Sequence, residues 1–69
     1  MDDLILKNRI KEHRGRLNIT QDELSKRIEV DRMTINNIET GKTTPSIITG
    51  LLIAEAFSVS VNEVFEINK

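Results

Sequence analysis

Four side chains between residues 32 and 37 form the most chemically suggestive cluster of this chain: Arg32, Met33, Asn36 and Asn37. Ile35 and Ile38 lie beside them at i, i+3, the spacing of a helix with one buried side. With successive residues about 100° apart, that buried direction sends Met33, Asn36 and Asn37 the opposite way. Arg32 and Thr34 fall at the flanks. A guanidinium, two amides and an apolar tip on one outward face suit the edges of bases. Arg pairs bidentately with guanine, Asn with adenine, and an apolar tip meets the thymine methyl. An ordinary solvated helix face would also be polar, but a methionine opposite the core is odd there.

These residues need a frame, and the flanking sequence supplies one. Thr20 and Glu23 have the T-x-x-E spacing of a capping box, in which side chain and backbone bond reciprocally at a helix start. Leu24 and Ile28 then stand i, i+4 on the inner face of that helix. Glu29 and Val30 make a turn, and Asp31 caps the next helix, 32–39. Two short helices joined by such a turn form a helix-turn-helix unit, here residues 20–39, whose second helix enters the major groove.

Before the unit, Asn8 is a good N-cap for a helix over 9–17. Ile10, His13, Arg14 and Leu17 make its inward stripe, and Asn18 takes the left-handed conformation that ends it. Ile19 follows as a core plug. Leu4, Ile5 and Leu6 either start this helix or form a short strand against Phe65, Glu66 and Ile67, because period alone cannot arbitrate so short a run. After the unit, Thr40 and Gly41 stop the second helix, glycine being the usual residue past a helix end. Ser46 caps a fourth helix over 47–57, with Ile47, Gly50, Leu51, Ile53, Ala54 and Phe57 inward and Ile48 and Leu52 outward. Gly50 is read as permitting a close helix approach. Ser60 and Glu63 repeat the capping-box spacing and open a short fifth helix through Phe65.

The bulk composition narrows the classes. Sixty-nine residues, 38% of them hydrophobic, allow one domain with a thin core, so self-association is a plausible source of added stability. The chain has no cysteine and one histidine, and it lacks a Gly-rich phosphate loop, a His-Glu metal spacing and a Ser/His/Asp constellation. Catalysis, a metal and a small-molecule cofactor are therefore not expected. No apolar run approaches a membrane span, and no basic-then-apolar leader opens the sequence, which points to a cytoplasmic protein. The net charge of −1 is low for a nucleic-acid binder. Its distribution is better suited: residues 1–45 hold nine Lys/Arg against eight Asp/Glu, and the acidic excess lies after them.

From Leu6 to Phe65 the chain resembles the Cro/cI-like (Xre-type) helix-turn-helix family. Thr20-Gln21-Asp22-Glu23-Leu24 matches the T-Q-x-E-L signature. Thr34-Ile35, Ile38-Glu39, Gly41-Lys42, Pro45-Ser46, Ile53-Ala54, Val59-Ser60-Val61 and Val64-Phe65 match later landmarks in order. The resemblance implies an all-α, compact five-helix, lambda-repressor-like domain over 1–69, with the terminal two-stranded sheet of some short members left open. It implies a sequence-specific binder of double-stranded DNA. Such a regulator would act as a repressor, a homodimer on a palindromic operator; an antitoxin-like or adaptor module is the alternative. The family's base-reading positions fall on Arg32, Met33 and Asn37, with Asn36 beside them. Its phosphate contacts fall on Gln21, with Thr34, Lys42, Thr43, Thr44 and Arg9 as further candidates. Arg14 and Glu39 match its structural salt bridge. Ile48, Leu52, Val61, Phe65 and Ile67 are candidates for a dimer seam. In the family an aliphatic residue is commoner at His13, glycine is frequent at Glu29 and Ser or Thr at Asp31.

Overall fold

Short polar residues punctuate the chain at almost every helix start, and the computed structural model, which describes residues 5–68, places the elements accordingly. The order is β1 (Ile5–Asn8), α1 (Ile10–Leu17), α2 (Gln21–Ile28), α3 (Arg32–Glu39), α4 (Ile47–Ala56), α5 (Val61–Val64) and β2 (Phe65–Asn68). The first alternative for the N-terminal segment gives way to the second: Ile5 to Asn8 form a strand, while Leu4 lies outside the described residues. β1 pairs antiparallel with β2, Leu6 opposite Ile67 and Asn8 opposite Phe65. No helix among the described residues is long and apolar enough to cross a membrane.

Thr20 and Glu23 close the capping box at α2, with Glu23 N–H donating to Thr20 Oγ1 at 3.0 Å and Thr20 N–H to Glu23 Oε1 at 2.9 Å. Asp31 Oδ1 accepts from Met33 N–H at the start of α3, and Ser46 Oγ from Thr49 N–H at the start of α4. At α5, Ser60 N–H donates to Glu63 Oε2. That bond holds the exposed Glu63 carboxyl below the usual glutamate range, helped by the Ser60 hydroxyl and by the nearby His13 and Arg16. Asn18, Glu29 and Ser58 carry positive φ near 58°, and Gly41 a φ of 80°. Only Gly41 adopts it without a Cβ penalty. At Glu29 the turn between α2 and α3 needs the left-handed conformation, and a glutamate supplies it.

The core is one cluster: Ile10, Ile19, Leu24, Ile28, Ile35, Ile38, Ile53, Ala54, Phe57 and Val64. His13 joins it, with its ring stacked 5.2 Å from Phe57 and Nε2 3.0 Å from the Glu63 carbonyl. Several inward assignments do not hold. Leu17 is 48% exposed, because the chain reverses at Asn18 and drops Ile19 into the core instead. Ile47 and Leu51 are exposed, whereas Leu52 is half-buried and packs on the core. The segment Ile47–Ala54 is apolar almost all round, so its period held little contrast from which to choose a face. α1 begins at Ile10 with Arg9 as cap, though the Asn8 carboxamide oxygen still accepts from Ile10 N–H at 3.2 Å. α4 ends at Ala56 and α5 at Val64, so Phe57 caps one helix and Phe65 starts β2.

Gly50 is buried, but a Cβ there would meet Phe65 Cε2 at 3.7 Å and Pro45 Cγ at 3.9 Å, ordinary contacts. The backbone therefore does not require a glycine. Gly50→Ala is expected to stabilise the fold by about 1 kcal/mol through helix propensity, measured as a higher denaturation midpoint with unchanged slope.

Candidate nucleic-acid interface

The face opposite Ile35 and Ile38 is open. Arg32 is exposed and Met33 is 53% exposed, while Thr34, Asn36 and Asn37 are half-buried. The loop after α3 folds back along its end: Lys42 N–H and Thr43 N–H both donate to the Asn37 carbonyl, at 2.9 and 3.3 Å. This brings the exposed Lys42, Thr43 and Thr44 beside the C-terminal turn of the helix. From the other side, Asn8 of β1 reaches the same turn, its Nδ2 donating to Ile38 O at 3.1 Å and Glu39 O at 3.4 Å. Carbonyls at a helix end lack partners within the helix, so Asn8 caps them as well as tethering α3 to the sheet.

A polar network fixes α3 from within. Arg14 of α1 donates from Nε to Glu39 Oε2 at 2.7 Å and from Nη2 to Oε1 at 3.1 Å, a bidentate pair. Its Nη1 also donates to Ile19 O at 3.1 Å. The two side chains are only 15% and 7% exposed. Gln21, the first residue of α2, donates from Nε2 to Glu39 Oε1 at 3.2 Å and to Asn36 Oδ1 at 3.3 Å. Three helices thus converge on one carboxylate. No signal in the sequence pointed to the Gln21–Asn36 contact, because the residues are fifteen apart and on different helices.

Arg9 departs from the phosphate-contacting expectation. Its guanidinium pairs with Glu66 of β2, in a groove shared with Asn62, Phe65 and Ile67. None of these belongs to α2 or α3. Of the residues read as a dimer seam, Val61 and Phe65 are half-buried against the core with Leu52, while Ile48 is 69% and Ile67 51% exposed.

Comparison with known proteins agrees with this fold. The helix-turn-helix family model matches residues 10–64. An uncharacterised HTH-type transcriptional regulator of Archaeoglobus fulgidus is 42% identical over 60 residues, covering 87% of this chain and 84% of that one. Regulators of the same description from Methanocaldococcus jannaschii (MJ0272) and Bacillus subtilis (YgzD) are 40% and 38% identical, each over 87% of this chain and 91% of the relative. The crystal structure of a candidate DNA-binding protein from Bacteroides fragilis superposes with a TM-score of 0.80 at 22% identity, over 90% of this chain and all of that one, and shows the shared fold. The chain belongs to the Cro/C1-type helix-turn-helix DNA-binding family. That membership makes it a non-enzymatic protein.

Removing one member of a shielded ion pair leaves the other charge uncompensated. Arg14→Met or Glu39→Gln alone should therefore each cost about 3 kcal/mol of folding stability. In a double-mutant cycle by chemical denaturation the two should couple by more than about 1 kcal/mol.

Proposed function

We propose that this protein is a transcriptional regulator that reads double-stranded DNA with α3 in the major groove and represses by occupying a promoter. The observation that carries this is the open face of α3, where Arg32 and Met33 are exposed beside the loop holding Lys42, Thr43 and Thr44. The names of the relatives support regulation of transcription as its purpose. Arg32 reads guanine, Met33 a thymine methyl and Asn37 an adenine. Lys42, Thr43, Thr44 and Thr34 hold phosphates, and the N-terminal turn of α2 at Gln21 adds backbone N–H groups and the positive end of its dipole. The low net charge implies modest, salt-sensitive affinity.

A helix of eight residues spans about 12 Å, enough for one half-site. Two-fold dimers on half-sites about one helical turn apart double the number of bases read. The seam for a second copy is the exposed apolar face of α4, Ile47, Ile48 and Leu51, which follows the loop flanking α3 and which no element among the described residues covers. A protein-interaction module would also use such a face. The polar surface of α3 favours DNA.

Footprinting on random-sequence DNA tests the reading. Arg32→Ala should weaken the preferred site by about 1–3 kcal/mol and relax choice at one position. Lys42→Ala should weaken all sites alike and flatten the salt slope; an equal loss for Arg32→Ala on cognate and scrambled duplex would refute base reading. In sedimentation, Leu51→Lys should give monomers where the parent gives dimers, and an unchanged dimer would place the seam elsewhere.

A further inference from the structure

The outward face of α3 carries an accessible sulfur. The sequence has two methionines and no cysteine. Met1 lies outside the described residues, and Met33 is 53% exposed on α3. The side chain of Met33 is absent from the core cluster. The start of α3 uses only its backbone, through the N–H that Asp31 Oδ1 accepts at 3.2 Å. A thioether is unbranched and polarisable, and it adapts its shape to an apolar partner. It is also the oxidisable group of this face, since Arg32, Asn36 and Asn37 carry no sulfur. Oxidation turns its flexible apolar tip into a polar, chiral one. The added oxygen accepts hydrogen bonds and donates none.

We propose that Met33 is a reversible oxidation site: hydrogen peroxide converts it to methionine sulfoxide, and the protein then ceases to sense the methyl group of thymine. The inference rests on α3 being the groove-entering helix. In the reaction a sulfur lone pair attacks one peroxide oxygen. The O–O bond breaks as the S–O bond forms, and the proton of the attacked oxygen passes to the departing hydroxide, which leaves as water. Sulfur loses two electrons and the peroxide gains them. No thiol in the chain intercepts the peroxide first. Before oxidation, the thioether shields the thymine methyl from water, and one such group favours thymine over uracil by about fourfold. After it, the methyl faces a hydrated sulfoxide. Thymine O4 is an acceptor, so the new oxygen gains no hydrogen bond from that base in return. The fold is unaffected, because neither the core nor the cap of α3 uses this side chain. Sulfoxide reductases restore the thioether, one enzyme for each epimer. DNA and peroxide exclude each other at this sulfur, since a helix seated in the groove covers it.

The experiment uses the full chain, hydrogen peroxide and a duplex selected by the parent from random sequence, with each thymine replaced in turn by uracil. Uracil lacks only the methyl, so the ratio of affinities reads that contact alone. For the untreated parent, one replacement should weaken binding about fourfold. Met33→Gln, of similar length with a polar tip, should bind both bases at that position alike. After peroxide the parent should do the same, with its thermal transition and its response at other positions unchanged. Both sulfoxide reductases together should restore the fourfold ratio. Met33→Leu should keep the ratio before and after treatment, which separates Met33 from Met1. Peptide mass should place the added oxygen on Met33, and the selected duplex should slow its addition. A parent oxidised at Met33 that still prefers thymine, a Met33→Leu variant that loses the preference under peroxide, or a parent indifferent to every replacement would each overturn the proposal. Failure of the parent to select any sequence would instead remove the DNA-reading function itself.

Discussion

Everything in this domain that faces outward from α3 depends on one shielded ion pair. Arg14 and Glu39 are the two charged side chains that three helices and a turn close around. Taking charges out of water is costly, and the cost is met only when geometry is good and remaining donors are satisfied. Here the guanidinium fork fits the carboxylate with two bonds and spends a further one on the Ile19 carbonyl. No buried polar side-chain atom among the described residues is left without a partner. The isoleucine-rich core fills space but tolerates small rotations of one helix on another. A bidentate pair does not, because its bonds are directional. The core therefore gives the domain its compactness, and the pair gives α3 its angle.

The strands complete a fold whose helices alone form a thin core. Pairing β1 with β2 brings the two ends of the described chain side by side, and Asn8 carries that junction to the back of α3. Arg9 and Glu66 pair across the same junction. The sheet thus serves two purposes: it pairs backbone groups of both ends and carries Asn8 to the C-terminal turn of α3.

Much of this was legible in the residues because helix boundaries are local. Thr20 with Glu23, Asp31, Ser46, and Ser60 with Glu63 each announce a helix start through a bond spanning two or three residues. Asn18 and Gly41 announce ends through backbone conformation. The outward direction of Met33 followed from two isoleucines, whereas Asn36 and Asn37, read the same way, are half-buried. What the chain concealed was non-local. The face of α4 could not be chosen because nearly every side chain on it is apolar. Leu17 was displaced by Ile19 two residues on. Arg9 looked available until the strands brought Glu66 to it, and the direction of the Gln21 and Asn36 amides depends on where a third residue sits.

The left-handed conformation at Glu29 carries a consequence of its own. A Cβ at positive φ costs about 1–2 kcal/mol, and this chain meets that cost at the hinge between α2 and α3 with a residue ill suited to it. Glycine would relieve the strain, but it would also give the joint freedom to bend. The relative tilt of two helices eight residues long is then traded against total stability. A carboxylate at 29 also keeps an exposed negative charge at the elbow, on the far side of α2 from its capped start. In the proposed role of α3, a stiffer elbow lowers the entropy lost on docking.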